Sequence, residues 1–406
     1  MDNQLNISQT TSSTSSTSST SNNYVEEFNS FNDMNLKEDL LRGIYSFGFE
    51  FPSQIQKKAI VPITTGRDVI VQAEAGNGKT GAFVIGSLNS IDVTLDQLQI
   101  LVLSPVKELS QQTYKVYNDI GINLGTKESG LVAYSFTGGT SVRTDISKLS
   151  EKTAHVVSGT PGRIKDLVNR GQLRLNNLKT LILDEADIML SDSFKQNVYD
   201  IYKYTHEDTQ CILVSATMPK EVLDYSNKFM KDPIRILKPP QQLSLVAINQ
   251  FYIYLDHENH KNETIKDLYE HLNIQSAMIF CNKRATASSL QEFLEKDDHS
   301  VSVSHSELNK EERERVLDEF RSGNTRVLIS TNVLGRGIDI NRVSLVINYD
   351  LPIINDDYIH RIGRTGRFGK KGTAINLITE KDLVQIREIE KKFNTEIEAL
   401  PQDLNL

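Results

Sequence analysis

Gly76-Asn77-Gly78-Lys79-Thr80 follows directly on the strand-like run Asp68–Ala73 and opens a helical stretch. Glycines let backbone N–H groups turn inward around phosphate oxygens, and a helix start adds positive potential. Lys79 can then reach the outer phosphates of a nucleotide, and the Thr80 hydroxyl can ligate magnesium. Further along, the apolar run Leu181-Ile182-Leu183 ends in Asp184-Glu185. Asp184 offers a magnesium-binding carboxylate, and Glu185 is placed to orient or deprotonate an attacking water. Paired acids after a strand also serve as helix caps; the phosphate loop upstream favours the catalytic reading. Near the far end, His360-Arg361-Ile362-Gly363-Arg364-Thr365-Gly366-Arg367 supplies a group of cations. They can act on the same phosphates only if a second domain folds onto the first.

The elements that must hold these residues follow from the apolar pattern. Asp68–Ala73, Ile100–Ser104, His155–Ser158, Thr180–Leu183 and Cys211–Ser215 are dense in Val, Ile and Leu and are separated by helix-length segments. This predicts an α/β fold with a parallel sheet covered on both faces. The pattern pauses at Leu237-Lys238-Pro239-Pro240-Gln241-Gln242, which suits a linker. It resumes with Gln250–Leu255, Ala277–Cys281, Val301–Ser304, Arg326–Ser330, Leu345–Asn348 and Ala374–Ile378. The last ~25 residues are expected to form one amphipathic helix with Leu383, Ile386, Ile389 and Phe393 on its inner face. The expected organisation is a tail over 1–30, a first domain over 31–236, a linker over 237–247 and a second domain over 248–406. Ala73, Pro105, Asp184, Ser215 and Thr331 each come just after an apolar run, where open parallel sheets bind ligands.

The 406 residues suit two domains of ordinary size. The tract Thr10–Asn23 is almost all Ser and Thr; with nothing to bury it is expected to stay unfolded, as a neutral spacer. No apolar run approaches the ~18 residues that span a bilayer. The N-terminus lacks the basic start and apolar stretch of a secretory leader, so a cytoplasmic protein is expected, with a nuclear one as the variant. Cys211 and Cys281 both sit in strand-like apolar runs, as small buried hydrophobes, and no Cys/His pattern suits zinc. The net charge of −8 argues mildly against nucleic-acid binding, although a cleft and a metal can reverse the local sign.

Asp184-Glu185-Ala186-Asp187 and the strings around it resemble the DEAD-box RNA helicases, specifically the translation initiation factor 4A-like subfamily, from Phe31 to Leu406. The resemblance implies two tandem RecA-like domains and an ATP-dependent RNA helicase using ATP and Mg2+. Gly48–Gln56 looks like the family's adenine-reading segment, with Phe31 as its upstream aromatic. By that match Phe49 stacks on adenine and Gln56 pairs with its edge. Ala75, Gly76, Asn77, Gly78, Lys79 and Thr80 would hold the phosphates, and Asp339 the ribose. Thr80 and Asp184 would hold the metal. Glu185, Lys79, Asp184, Arg364 and Arg367 would carry the chemistry, the two arginines facing the γ-phosphate. Pro105, Lys107, Glu108, Gly138, Gly139, Thr160, Gly162, Arg163, Arg313 and Thr331 match RNA-facing positions, which contact phosphate and ribose without reading sequence. Ser215-Ala216-Thr217 matches the motif coupling nucleotide state to strand separation. The implied partners are RNA, single-stranded or as a short duplex, and helical-repeat scaffold proteins of the initiation factor 4G type. A monomer working in translation initiation is implied.

The sequence departs from the family at Glu74, Ala75, Asn77, Lys107, Lys310, Asn332 and Gly335. Lys107 keeps a charge but loses the planar fork of the usual arginine. No catalytic acid or finger arginine is lost, so an active enzyme with altered ATP or RNA affinity is expected. The substitutions near the phosphate loop motivate one alternative, an ATP-locked RNA clamp acting as a scaffold in splicing-linked or ribosome-assembly complexes. A DNA helicase or generic ATPase fits the adenine segment and Thr160–Arg163 less well.

Overall fold

The computed structural model describes residues 26–74, 76–126, 129–237, 248–271, 276–297, 299–305, 307–331, 343–365 and 372–401. The Ser/Thr tract, most of the expected linker, Ala75, Asp339 and Arg367 lie outside them.

Among the described residues fourteen strands form two sheets. The first contains β1 (Val69–Gln72), β2 (Ile100–Leu103), β3 (Ala133–Phe136), β4 (Val156–Gly159), β5 (Thr180–Asp184), β6 (Gln210–Ser215) and β7 (Ile234–Ile236). The second contains β8 (Ile248–Tyr254), β9 (Ala277–Phe280), β10 (Val301–Ser304), β11 (Val327–Ser330), β12 (Leu345–Asn348), β13 (Gly372–Ile378) and β14 (Glu398–Ala399). The spatial orders are β3-β4-β2-β5-β6-β1-β7 and β10-β11-β9-β12-β13-β8-β14. Every paired strand runs parallel, for example Ile182 beside Ile212 and Ile347 beside Ile375. These are two tandem RecA-like α/β lobes: the parallel sheets are what the apolar runs predict, and the RecA-like pairing is what the resemblance implies.

Helices on both faces explain why the strands are apolar without interruption. Successive side chains of a strand point to opposite faces. Val69 and Val71 enter one core with Ile100, Val102, Ile182 and Ile212, whereas Ile70, Leu101, Leu103, Leu181 and Leu213 enter the other. Cys211 and Cys281 are buried free thiols, and burial pushes both well above the usual thiol range.

The C-terminal segment departs from expectation. Its helix covers only Leu383–Phe393, with Ile386, Ile389 and Phe393 buried but Leu383 exposed. Asn394 takes a left-handed backbone (φ 46°), a conformation asparagine tolerates, and stops the helix. The chain then turns back and pairs as β14 along β8.

Candidate active site in the cleft between the lobes

β1 delivers the phosphate loop. Gly78 caps the helix Lys79–Asn89 with a left-handed φ of 86°, which glycine adopts without strain. At Gly81 a side chain would meet Gln56 Nε2 at 2.5 Å and Phe49 Cε2 at 3.0 Å, so the segment expected to read adenine presses directly on this helix. Ser53 Oγ donates to the Asn77 carbonyl (2.7 Å) and Gln56 Nε2 to the Gly78 carbonyl (3.2 Å). The Gln56 oxygen accepts from Ser53 N (2.9 Å), closing a capping box on the helix Gln54–Thr64. Phe49 stacks on the fully buried Phe31, centroids 6.4 Å apart. The expected upstream aromatic is thus a floor beneath Phe49. Lys79 is buried and donates to the carbonyls of Ala73 (2.7 Å) and Glu74 (3.0 Å). Thr80 sits half-buried in the first helical turn.

β5 delivers the acids. Asp184 and Glu185 are buried, at 3% and 4% exposure. Glu185 has a left-handed φ of 51°, unusual for a residue with a long side chain, and its N–H donates to Asp184 Oδ1 (3.0 Å). Among the described residues Asp184 Oδ2 and Glu185 Oε2 are buried without a hydrogen-bond partner. Burial, then the Glu185 carboxylate, pushes Asp184 up to about 7, while Lys79 pulls it down. Asp187 accepts from Ser215 Oγ (2.8 Å) and Thr217 Oγ1 (2.6 Å). The end of β6 is thereby wired to the acids of β5.

The second lobe reaches these same residues. His360, fully buried, lies with Nε2 3.1 Å from Asp187 Oδ2 and Nδ1 3.9 Å from Glu185 Oε2. Arg361 donates to Asn348 Oδ1 (3.2 Å), the Asp350 carbonyl (2.7 Å) and Asn282 Oδ1 (2.8 Å), and packs over the Phe280 ring. Burial draws this guanidinium down to about 10. It fastens the helix Asp356–Ile362 to its own sheet. Arg364 is 1% exposed, and its Nε donates to the His360 carbonyl (3.1 Å).

Of the residues expected to face RNA, Lys107, Glu108 and Arg313 lie where the lobes meet. Lys107 Nζ pairs with Glu314 Oε1 (3.0 Å) and Arg313 with Glu108 (3.2 Å), both across the lobes. Pro105 is buried after β2, and the Thr331 N–H donates to the Ser304 carbonyl (3.2 Å). Gly138 N donates to Thr160 Oγ1 (3.4 Å), and Gly138, Gly139 and Gly162 have open space where a side chain would be. Arg163 behaves differently. It is buried against Asp145 and donates to the Thr140 carbonyl (2.6 Å), so it braces the glycine turn from behind. Sequence reasoning gave no role to Asp187, Glu314 or Asp145. Asp187 was visible within its own quartet of letters; Glu314 and Asp145 carry no local signal.

Comparison with known proteins fits this geometry. Residues 53–225 match the DEAD/DEAH box helicase family and residues 260–369 the helicase conserved C-terminal domain. The chain belongs to the DEAD/DEAH box helicases. It is 48% identical over 402 residues to eukaryotic initiation factor 4A of Caenorhabditis elegans, covering 99% of this chain and 98% of that one. It is 47% identical over 380 residues to the ATP-dependent RNA helicase fal1 of Schizosaccharomyces pombe, covering 94% and 95%. Among solved structures, Saccharomyces cerevisiae Dbp5 bound to RNA and ADP BeF3 superposes with a TM-score of 0.85 at 35% identity, over 93% of this chain and 96% of that one. This DEAD-box chain is an ATP-dependent RNA helicase in which one lobe holds the phosphate loop and both lobes build the cleft.

Proposed function

We propose that the protein hydrolyses ATP in the cleft, stimulated by RNA, and uses lobe closure to melt short RNA duplexes in translation initiation. The observation that carries this is His360 lying 3.1 Å from Asp187, which brings the arginine-bearing segment of one lobe to the acids of the other. Phe49 and Gln56 hold the adenine, while the loop from Ala75 to Thr80 and Asp339 hold the phosphates and ribose. Lys79 exchanges its loop carbonyls for phosphate oxygens, which are stronger acceptors because they are charged. Glu185 orients the attacking water. Arg364 and Arg367 stabilise charge on the transferred phosphoryl group.

The donor set fits magnesium. Two buried carboxylate oxygens, Asp184 Oδ2 and Glu185 Oε2, have no hydrogen-bond partner among the described residues, and burial disfavours the Asp184 charge, which a bound cation would offset. Asp184 and Thr80 would hold the ion, which when bound neutralises phosphate charge.

RNA lies across both lobes on Lys107, Gly138, Gly139, Thr160, Gly162, Arg313 and Thr331, bound through its backbone and so without sequence preference. Arg163 acts through the turn it braces. Helical-repeat scaffold proteins of the initiation factor 4G type are the expected partners of a cytoplasmic monomer. Among the described residues no helix is long and apolar enough to cross a membrane.

ATP turnover measured with and without RNA tests this reading. RNA should accelerate repeated turnover, and Arg367→Ala should spare ATP binding while slowing hydrolysis roughly 10³-fold or more. Turnover indifferent to RNA, or full activity in the arginine variant, overturns it.

A further inference from the structure

Two exposed apolar segments of the second lobe lie side by side. Ile353 and Ile354, just before the helix Asp356–Ile362, are 78% and 59% exposed. Leu383 and Val384, which open the helix Leu383–Phe393, are 38% and 70% exposed. Side chains lash the segments together. Gln385 Nε2 donates to the Pro352 carbonyl (2.6 Å) and Asn355 Oδ1 (3.0 Å), and Asn355 Nδ2 donates to Glu388 Oε2 (3.3 Å). Glu388 stands one turn beyond Val384 on the same stripe of the helix. The core-facing residues Ile386, Ile389 and Phe393 occupy another stripe, so the first turn of the helix exposes apolar side chains that its own lobe does not use. Of the ten large apolar side chains exposed among the described residues, four fall in this one place.

The surroundings are acidic. Stretches 353–357 and 380–388 carry Asp356, Asp357, Glu380, Asp382 and Glu388 against Lys381 and Arg387. Lys381 is engaged by Glu258 and Arg387 by Glu390, while Asp356 is engaged by Lys392 (2.9 Å); with these three partners counted, the acids still outnumber the bases. Such a rim repels anionic bilayers. It also repels its own copy, and four aliphatic side chains expose on the order of 400 Å² against the roughly 800 Å² per partner of a stable interface. A single amphipathic helix matches both the size and the charge.

We propose that the apolar patch formed by Ile353, Ile354, Leu383 and Val384 docks an amphipathic helix of a partner protein, with aliphatic residues on one stripe and Lys or Arg along its flanks. The proposal does not depend on the ATPase assignment. It is tested by selecting a displayed library of peptides about 16 residues long, four to five helical turns, against the full chain. Binders should converge on an aliphatic stripe flanked by basic residues. Their affinity should fall roughly tenfold or more in I354D/V384D, while RNA-stimulated ATP turnover stays unchanged. Val384 lies in the first turn of its helix, where Asp is favourable, and Ile354 is exposed ahead of the next helix, so this variant should fold; the milder I353S/I354S pair gives the same comparison. Binders that ignore both variants or carry acidic flanks overturn the proposal. So does patch-dependent self-association in sedimentation, or patch-dependent binding to phosphatidylserine vesicles.

Discussion

The two lobes share one strand order, and β1 and β8, like β5 and β12, occupy equivalent places in it. Their contents differ. After β1 the chain makes a glycine loop and then Lys79; after β8 it makes Leu255-Asp256-His257-Glu258-Asn259-His260, without glycine, and then Lys261. Lys261 is buried and pairs with Glu258 (2.8 Å) and Asp350 (3.4 Å), and Asp350 lies just beyond β12 as Asp184 ends β5. Asp350 also accepts from Asn282 N (2.8 Å). In the second lobe the lysine and the acid satisfy one another. In the first, Lys79 leans on backbone carbonyls and Asp184 keeps a buried oxygen unpartnered among the described residues. The same scaffold therefore yields a brace where its charges close on each other and, where they are held apart, the site proposed to bind the nucleotide.

Substitutions at the equivalent positions should separate the two roles. The largest contrast is expected between the lysines. Lys79→Ala should reduce ATP turnover to background while leaving the urea midpoint nearly unchanged. Lys261→Ala should keep substantial turnover yet cost about 2 kcal/mol in urea unfolding, below the full price of a broken buried pair because Glu258 is half-exposed. Loss of ATP turnover in both, with equal stability, would erase the distinction. The acids come next. Asp350→Asn should lower Tm by a few degrees, whereas Asp184→Asn, inactive as an ATPase, should raise it in protein free of nucleotide and metal, by about 2–4 °C at pH 8.

The smallest expected effect is the pH dependence of that gain. An unfolded aspartate titrates near ~4, and Asp184 in the folded chain near about 7. The folded state thus binds more protons between these values. Stability is fully present below the lower one and lost as pH rises through the higher. The Asn gain should fade from pH 8 to pH 5 in calorimetry; a gain independent of pH would mean that the carboxyl is not desolvated as described.

Much of this was legible because buried parallel strands write themselves as apolar runs. Val301–Ser304 and Leu345–Asn348 match residue for residue. The strands without such a signature are at or near sheet edges: β3, whose Tyr134 and Ser135 are only half-buried, β7 with three residues and β14 with two. At the site, the glycine loop and the acid pair announce themselves because backbone conformation and charge are local needs. The pairs His360 with Asp187, Lys107 with Glu314 and Arg313 with Glu108 join distant parts of the chain, and no spacing rule links them. Arg163 adds a feature that its motif does not announce, an internal pairing of the cation with Asp145.

Asp187 keeps the hydroxyls of Ser215 and Thr217 whether or not the other lobe is near, since all three belong to the first lobe. Parting the lobes would therefore hydrate the imidazole and leave the carboxylate furnished. In the proposed cycle the energetic toll of each stroke would fall on one wall of the hinge, which would make the histidine, rather than its acceptor, the point at which that cycle is tuned.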